Sequence, residues 1–395
     1  MSKLDPRDVR VAHVLKAGHR AAALTRDGST VEFRYSPGYD GPAVATTLPL
    51  DSAPVLTVGG AVPAFFANLL PEGRRLTALR QSVKTSADDE LSLLLAVGGD
   101  PVGDVQVVPE GVEPSEPEMG APAEGELDFT ELLEDQGVSD PSALAGVQDK
   151  VSGRMLTLPL QFGGRDRLLK FEVPEFPRVV ENEHFFLQRA ARMRHPVVTS
   201  AVLHDVNGRP GLLVDRFDRP VVNGSLASSA VEDGAQLLNI HPAQKYSVTT
   251  EALADPIAAV CAARPLALRA VLQQVLFAWA TGNGDLHAKN ISVLQHGNQW
   301  RVAPIYDIPS TLPYGDHTMA LSIGGRREGL SRKQFAAFGD RLGLPSRAVD
   351  RTIDEVVAAT EHLADEIADG AIGFDTRRQR DVARGLRKRW SLLAG

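Results

Sequence analysis

Cysteine is all but absent: Cys261 is the single one in 395 residues. No internal disulfide framework and no cysteine-based zinc site can be built from it, and the chain fits a reducing compartment. Long apolar runs are missing too. The longest, near Leu93–Val97 and Val275–Ala280, fall far short of the roughly 20 residues a membrane helix needs. The opening MSKLDPRDVR is too polar for a secretory signal peptide. Basic excess is also lacking: 50 acidic against 42 basic residues leave a formal charge of −8, a poor basis for nonspecific nucleic-acid binding by the chain as a whole. No internal repeat is evident. What remains, 43% hydrophobic and 23% charged residues, reads as a cytoplasmic globular protein without a membrane segment, long enough for two or three structural units.

The first stretch alternates like strands. Val9, Val11 and Val14 lead to a turn at Lys16-Ala17-Gly18, and Ala21–Leu24 lead to another at Arg26-Asp27-Gly28. Val31, Phe33 and Tyr35 then repeat every second residue, which predicts an antiparallel meander. The apolar segment Val62–Leu70 is closed by Pro71-Glu72-Gly73, and a helix is expected through Ala87–Val97. From Pro109 to Glu126 there are four prolines, six glutamates and no Lys or Arg. Such a stretch buries too little apolar surface to offset its ordering entropy, so residues 109–126 read as a linker between two domains. Beyond it, strands are expected at Arg154–Leu160 and Leu168–Val173, and helices at Glu181–Met193 and Pro265–Ala280. The last quarter, from Ser331 onward, reads as mostly helical.

The chemistry concentrates in Gly282-Asn283-Gly284-Asp285-Leu286-His287-Ala288-Lys289-Asn290. An apolar helix ends at Gly282, two glycines turn the chain, and Asp285 is presented with Asn290 five residues on. Ile291–Leu294 and Trp300–Ile305 then read as a hairpin turning at His296-Gly297-Asn298, which delivers Tyr306-Asp307-Ile308. Phosphoryl transfer from ATP uses such a set. One carboxylate takes the proton of the attacking hydroxyl, while an amide oxygen and a second carboxylate hold Mg2+ against the phosphates. Protein kinases have the same five-residue spacing and a metal-binding Asp past a hairpin. In these terms Asp285 is the base, Asn290 and Asp307 are metal ligands, and Lys289 can neutralise the transferred group. A lone Gly-Asp is usually an ordinary turn; the spaced Asn and second Asp reverse that reading. Lys170 lies in an apolar strand-like run, where an unpaired ammonium is costly. Either it meets phosphates and is oriented by Glu183, or it lies on an exposed face and snorkels. Ala145-Gly146-Val147-Gln148-Asp149-Lys150 can offer backbone N–H groups to phosphates, although one glycine makes a weak phosphate loop.

Taken together these motifs resemble the HipA family of bacterial serine/threonine-kinase toxins. The resemblance covers nearly the whole chain. It rests on Phe65–Gly73 and Gly98–Asp104 in the N-terminal part, and then on Gly146–Lys150, Glu181-Asn182-Glu183, Asp215–Arg219, Gly284–Asn290 and Tyr306-Asp307-Ile308. It implies an α+β, two-lobed protein-kinase-like fold. A small β-rich N-terminal subdomain (residues 1–108) would precede a kinase domain (127–395) with lobes of about 140–235 and 236–395, the second mostly helical. It also implies ATP and Mg2+ as cofactors and a HipB-like helix-turn-helix antitoxin as partner, with DNA reached only through that antitoxin. The implied substrate is a protein, notably an aminoacyl-tRNA synthetase, whose phosphorylation stalls growth and gives persistence. Carried over, Asp285 matches the catalytic Asp, Asn290 and Asp307 the metal-site residues, and Lys170 the nucleotide-binding Lys. Gly146, Val147, Gln148 and Lys150 match the phosphate-side loop. Glu232-Asp233-Gly234 resembles, loosely, the hinge that meets adenine. The family's autophosphorylated serine precedes that loop; here the matching position is Ala143, with Ser142 one place early, which points to loss of that off-switch.

Other signals are plainer. Arg377–Arg389 holds seven basic residues and one acid, most simply a solvated helix face. The arginines of Asp215–Arg219 are expected to form buried ion pairs bracing the lobes. His287 has no second His or Cys at ligand spacing and reads as a loop-shaping residue beside the nucleotide. The same Gly284–His287 run also occurs in small-molecule phosphotransferases of the aminoglycoside or choline kinase type. Against these stand Asn283, where they usually place His, and the separate N-terminal domain. A non-enzymatic corepressor of a DNA-binding partner is a third possibility, opposed by the occupied catalytic positions.

Overall fold

Alternation of small and branched apolar residues sets up the first sheet. β1 (Val11–Lys16), β2 (His19–Asp27), β3 (Thr30–Tyr35), β4 (Val55–Thr57) and β5 (Val105–Pro109) pair antiparallel in the order β4-β3-β2-β1-β5. The expected meander is there, closed by β5 from the end of the unit. Ala12, Val14, Ala22, Leu24, Val31 and Phe33 point to one buried face. Three helices cover it: α1 (Ala64–Ala67), α2 (Gly73–Val83) and α3 (Glu90–Val97). Helix α3 begins at Glu90, three residues later than Ala87, because Asp89 caps it by accepting from Ser92 N at 3.3 Å. Helix α2 was not anticipated.

The structure, a computed structural model, describes residues 4–112, 127–135, 155–222 and 224–395. The expected loop Gly146–Lys150, and Ser142 and Ala143 before it, lie outside those residues. Past α4 (Phe129–Asp135), a second antiparallel sheet runs β6-β7-β9-β8, from β6 (Met155–Phe162), β7 (Arg165–Glu172), β8 (Ser200–His204) and β9 (Pro210–Asp215). β6 alternates without a break: Leu156, Leu158, Leu160 and Phe162 are buried against Phe129, Leu169, Phe171 and Leu213. A two-residue turn, Gly163-Gly164, puts Phe162 opposite Arg165, and this register places Lys170 opposite Thr157 and Leu212 in the middle of the sheet. α5 (Val179–Ala190) crosses the sheet. It starts two residues before the expected Glu181 and ends three before Met193, because the turn at Ala191–Met193 closes it.

A short hairpin, β10 (Val221–Val222) with β11 (Ser225–Leu226), leads to β12 (Val231–Asp233) and into a helical lobe. The lobe holds α6 (Gly234–Leu237), α7 (Thr250–Val260), α8 (Arg264–Thr281), the strands β13 (Ser292–His296) and β14 (Gln299–Val302), then α9 (Arg332–Arg341), α10 (Ser346–Thr360), α11 (Leu363–Ala368) and α12 (Thr376–Ala394). Helix α8 is buried on all sides from Ala270 to Thr281, as a helix apolar around its whole circumference must be. β12, β13 and β14 form a small sheet, so the chain after Asn290 makes the expected hairpin and then runs beside Val197 at Ile305. The fold is α+β, with two lobes and a β-rich N-terminal unit. Among the described residues no helix is long and apolar enough to cross a membrane.

Candidate active site

A cavity of about 360 Å3 lies where the β6–β9 sheet, the helical lobe and the N-terminal unit meet. Its lining includes Lys170, Asn290, Asp307 and, from the N-terminal unit, Glu72. Lys170 reaches in from β7, and its Nζ donates to Glu183 Oε1 at 2.7 Å and to Asp307 Oδ1 at 3.0 Å. Glu183 stands on α5 with no exposed surface. Burial works against the charged ammonium, but the Asp307 and Glu183 carboxylates outweigh it and hold the Lys170 pKa above its ordinary value. Asp307 is held below the usual carboxylate range: burial would raise it, and Lys170 overrides that. For Glu183 burial prevails and pushes the carboxyl up to about 7. Asp307 also sits at φ +53°, a left-handed conformation that a non-glycine residue keeps only when its surroundings enforce it.

The loop after α8 is fixed by its own hydrogen bonds. Gly282 ends the helix at φ +65°, a conformation glycine adopts without strain. Asn283 Oδ1 accepts from Asp285 N at 2.8 Å, and Gly284 N donates to Thr311 Oγ1 at 2.9 Å. Asn290 Nδ2 donates to Asp285 O at 2.9 Å, so the five-residue spacing closes a compact loop, with Asn290 lining the cavity. Tyr246 O–H donates to Asp285 Oδ1 at 2.6 Å. Tyr246 also packs its ring edge-on against His287, with centroids 5.0 Å apart. His287 is buried, and neither ring nitrogen has a hydrogen-bond partner among the described residues. Burial, then Lys245, drive its pKa down to about 3. Lys289 turns toward the N-terminal unit: its Nζ donates to Asn68 O at 2.8 Å and lies 3.3 Å from Glu72 Oε1 and 4.0 Å from Asp233 Oδ2.

The arrangement offers one buried carboxylate on a rigid loop, two hard oxygen donors in Asn290 and Asp307, and lysines on both sides. Among the described residues no three His, Cys, Asp or Glu converge on a metal. Asn290 and Asp307 are the residues that could hold a Mg2+, which takes one or two protein oxygens and completes its shell with water and phosphate. Phe217 and Tyr306, with ring centroids 5.4 Å apart, join Leu168, Val198 and Val214 as an apolar wall.

Residues 12–108 match the HipA N-terminal domain and residues 142–364 the HipA-like C-terminal domain. The chain belongs to the HipA family. A protein of Sinorhizobium fredii designated only as a candidate kinase, Y4dM, is 30% identical over 322 residues, 75% of each chain. The serine/threonine-protein kinase toxin HipA of Shewanella oneidensis is 25% identical over 411 residues, 92% of each chain. A solved structure of the Shewanella oneidensis HipA, HipB and operator DNA complex shares the fold at TM-score 0.78 and 23% identity, covering 97% of this chain and 96% of that one.

In this HipA-family site the expected hinge needs correction. Glu232 does not face the cavity: its carboxylate accepts from Thr46 N and Thr46 Oγ1, both at 2.8 Å, in the N-terminal unit. Gly234 is a packing position, where a Cβ would come within 2.1 Å of Leu253 Cδ1 and 2.7 Å of Ala288 O. Of the three, only Asp233 lines the cavity; burial pushes its carboxyl up to about 6 against the pull of Lys289. The segment that leaves the sheet and lines the cavity is Asp215–Asp218, directly after β9. Its arginines do not brace the two lobes. Arg216 and Arg219 pair with Asp100 of the N-terminal unit at 2.5 and 2.7 Å and with Asp218 at 2.8 Å. Sequence reasoning also missed Tyr246, whose signal was weak, and the insertion of Glu72, although its Leu70-Pro71-Glu72-Gly73 corner was noticed.

Proposed function

We propose that this chain is an ATP- and Mg2+-dependent protein serine/threonine kinase, the toxin of a toxin–antitoxin pair, with a HipB-like antitoxin as partner and DNA engaged through that partner. Its target is a translation-related protein of the aminoacyl-tRNA synthetase class. One observation carries the reading: Lys170, paired with Glu183 and Asp307, faces the same cavity as Asn290, on the loop that presents Asp285. Phe217, Tyr306 and the sheet residues Leu168 and Val214 form the adenine slot. Lys170 meets the nucleotide phosphates with Glu183 fixing its direction. Asn290 and Asp307 hold Mg2+, which when bound screens the charge of the β- and γ-phosphates. Asp285 takes the proton of the substrate hydroxyl as its oxygen bonds to the γ-phosphorus; the bond to the β,γ-bridging oxygen breaks and ADP leaves. The relatives' designations as kinases and as a HipA toxin support this reading, and the HipB and DNA in the related structure support the partner.

The test is transfer of labelled γ-phosphate from ATP in a bacterial lysate by wild type and by Asp285→Asn. Label on one or a few proteins, reduced at least about 100-fold in the variant while nucleotide still binds, is the expected result. Transfer to small alcohols or aminoglycosides instead would assign a small-molecule kinase. Silence of the wild type with nucleotide bound would leave a corepressor.

A further inference from the structure

The N-terminal unit does more than sit beside the cavity. Glu72 opens α2 as its N-cap, yet its side chain does not cap the helix. It turns away and bridges two lysines of the other domain, Lys245 and Lys289. The corner that carries it is seated by further contacts: Asn68 Nδ2 donates to Ile240 O at 2.8 Å and Gln236 Nε2 donates to Phe65 O at 3.1 Å. Lys289 has three anchors, and the two nearer ones, Asn68 O at 2.8 Å and Glu72 at 3.3 Å, belong to the N-terminal unit; Asp233, in its own lobe, is farther at 4.0 Å. Lys245 and Lys289 are both nearly buried, with side-chain exposure of 8% and 12%. At such low exposure two neighbouring ammonium groups are costly without an anion between them. Glu72 is that anion.

We propose that Glu72 is a positioning residue for phosphoryl transfer. It fixes the direction of the Lys289 side chain on the catalytic loop, so that the N-terminal unit completes the active site. The proposal rests on the kinase reading above. Lys289 is the cation nearest in sequence to Asn290, and its usefulness to the transferring group depends on placement within a fraction of an ångström. Glu72 itself touches no reacting atom.

Full-length Glu72→Gln and Glu72→Asp are compared with wild type for transfer from ATP and for binding of a fluorescent non-hydrolysable ATP analogue, with thermal unfolding to establish that each is folded. Thr46→Val, which removes the Thr46 Oγ1–Glu232 hydrogen bond between the same two units away from the cavity and leaves the one from Thr46 N, serves as the interface control. The expected result is a fall in kcat of about tenfold for Glu72→Gln, KM for ATP and analogue affinity within about twofold, partial recovery in Glu72→Asp, and no kcat loss in Thr46→Val. Unchanged kcat in Glu72→Gln, or an equal loss in Thr46→Val, overturns the proposal and leaves the kinase reading standing. Absence of transfer by the wild type overturns that reading and the proposal with it.

Discussion

At His287, burial and the Lys245 ammonium outweigh the pull of the Glu72 and Asp307 carboxylates and favour the neutral ring. Among the described residues neither ring nitrogen has a hydrogen-bond partner, and burial together with Lys245 lowers the pKa from 6.5 to about 3. In the unfolded chain the imidazole takes its proton near pH 6.5, so between that value and about 3 the unfolded state binds more protons and stability falls as pH falls. From pH 6.5 to 5 this one group removes about 2 kcal/mol. Urea unfolding at the two pH values should show that loss in wild type and a correspondingly smaller one in His287→Gln; equal losses would mean that His287 is not the titrating group. The same physics explains what was legible among single residues. Lys170 in an apolar strand left two readings open, a lysine oriented by a carboxylate or one that snorkels, and its bond to Glu183 decides for the first. The meeting of Asn290 and Asp307 at one cavity was legible from the spaced motif and the hairpin between them. Phe217 as a cavity wall was not, since one aromatic among four charges, Asp215 to Arg219, gives no periodic signal.

Elements follow the same division. Helix α8 and the β13–β14 hairpin could be read because an apolar helix ended by glycine and a Gly-Asn turn are local signals. Helix α2 could not. Its apolar residues serve two cores: Ala78 packs toward β6, and Leu76, Leu79 and Val83 pack against the first sheet, while Arg74, Arg75 and Arg80 interrupt any single stripe. The junction between α8 and the loop that follows it has no room for a side chain. At Gly282, φ is +65° and an added Cβ would lie 2.4 Å from Leu312 Cγ. Gly282→Ala therefore combines left-handed strain with overpacking, for a cost of about 3 kcal/mol, and transfer activity should fall with it. Gly297→Asn is the matched control: φ is +57°, nothing lies within 4 Å, and Asn accepts left-handed backbone. Chemical denaturation should give a change within about 0.5 kcal/mol there. Similar losses at both glycines would show that backbone sign alone, without the Leu312 contact, sets the cost.

At the scale of the molecule, composition said nothing of how the N-terminal unit meets the rest. Besides Ala78 against β6, the contact is built of ion pairs that join residues more than a hundred positions apart, each of which looks like a solvated charge when read alone. Asp100 receives Arg216 and Arg219, and Gly103 answers with its N–H on Asp218 at 3.0 Å and its carbonyl on Arg219 at 2.6 Å. Burial would raise the Asp218 pKa, yet Arg216 and Arg219 keep it below the ordinary range, so the network is charged and internally neutralised. Such a network is costly to break from one side, because the partner charges stay desolvated. Asp100→Ala leaves two guanidinium groups sharing Asp218, with an expected loss of about 3 kcal/mol. The loss should be unevenly distributed. Asp100 lies at the joint, so backbone hydrogen exchange should accelerate in β1–β5 and α2, whose seating depends on it, and remain slow in α8, which is buried within the other lobe. Uniform acceleration across both units would mean that they unfold as one cooperative block. An unchanged pattern would mean that Glu72, Asn68 and Thr46 seat the N-terminal unit without help from the arginines.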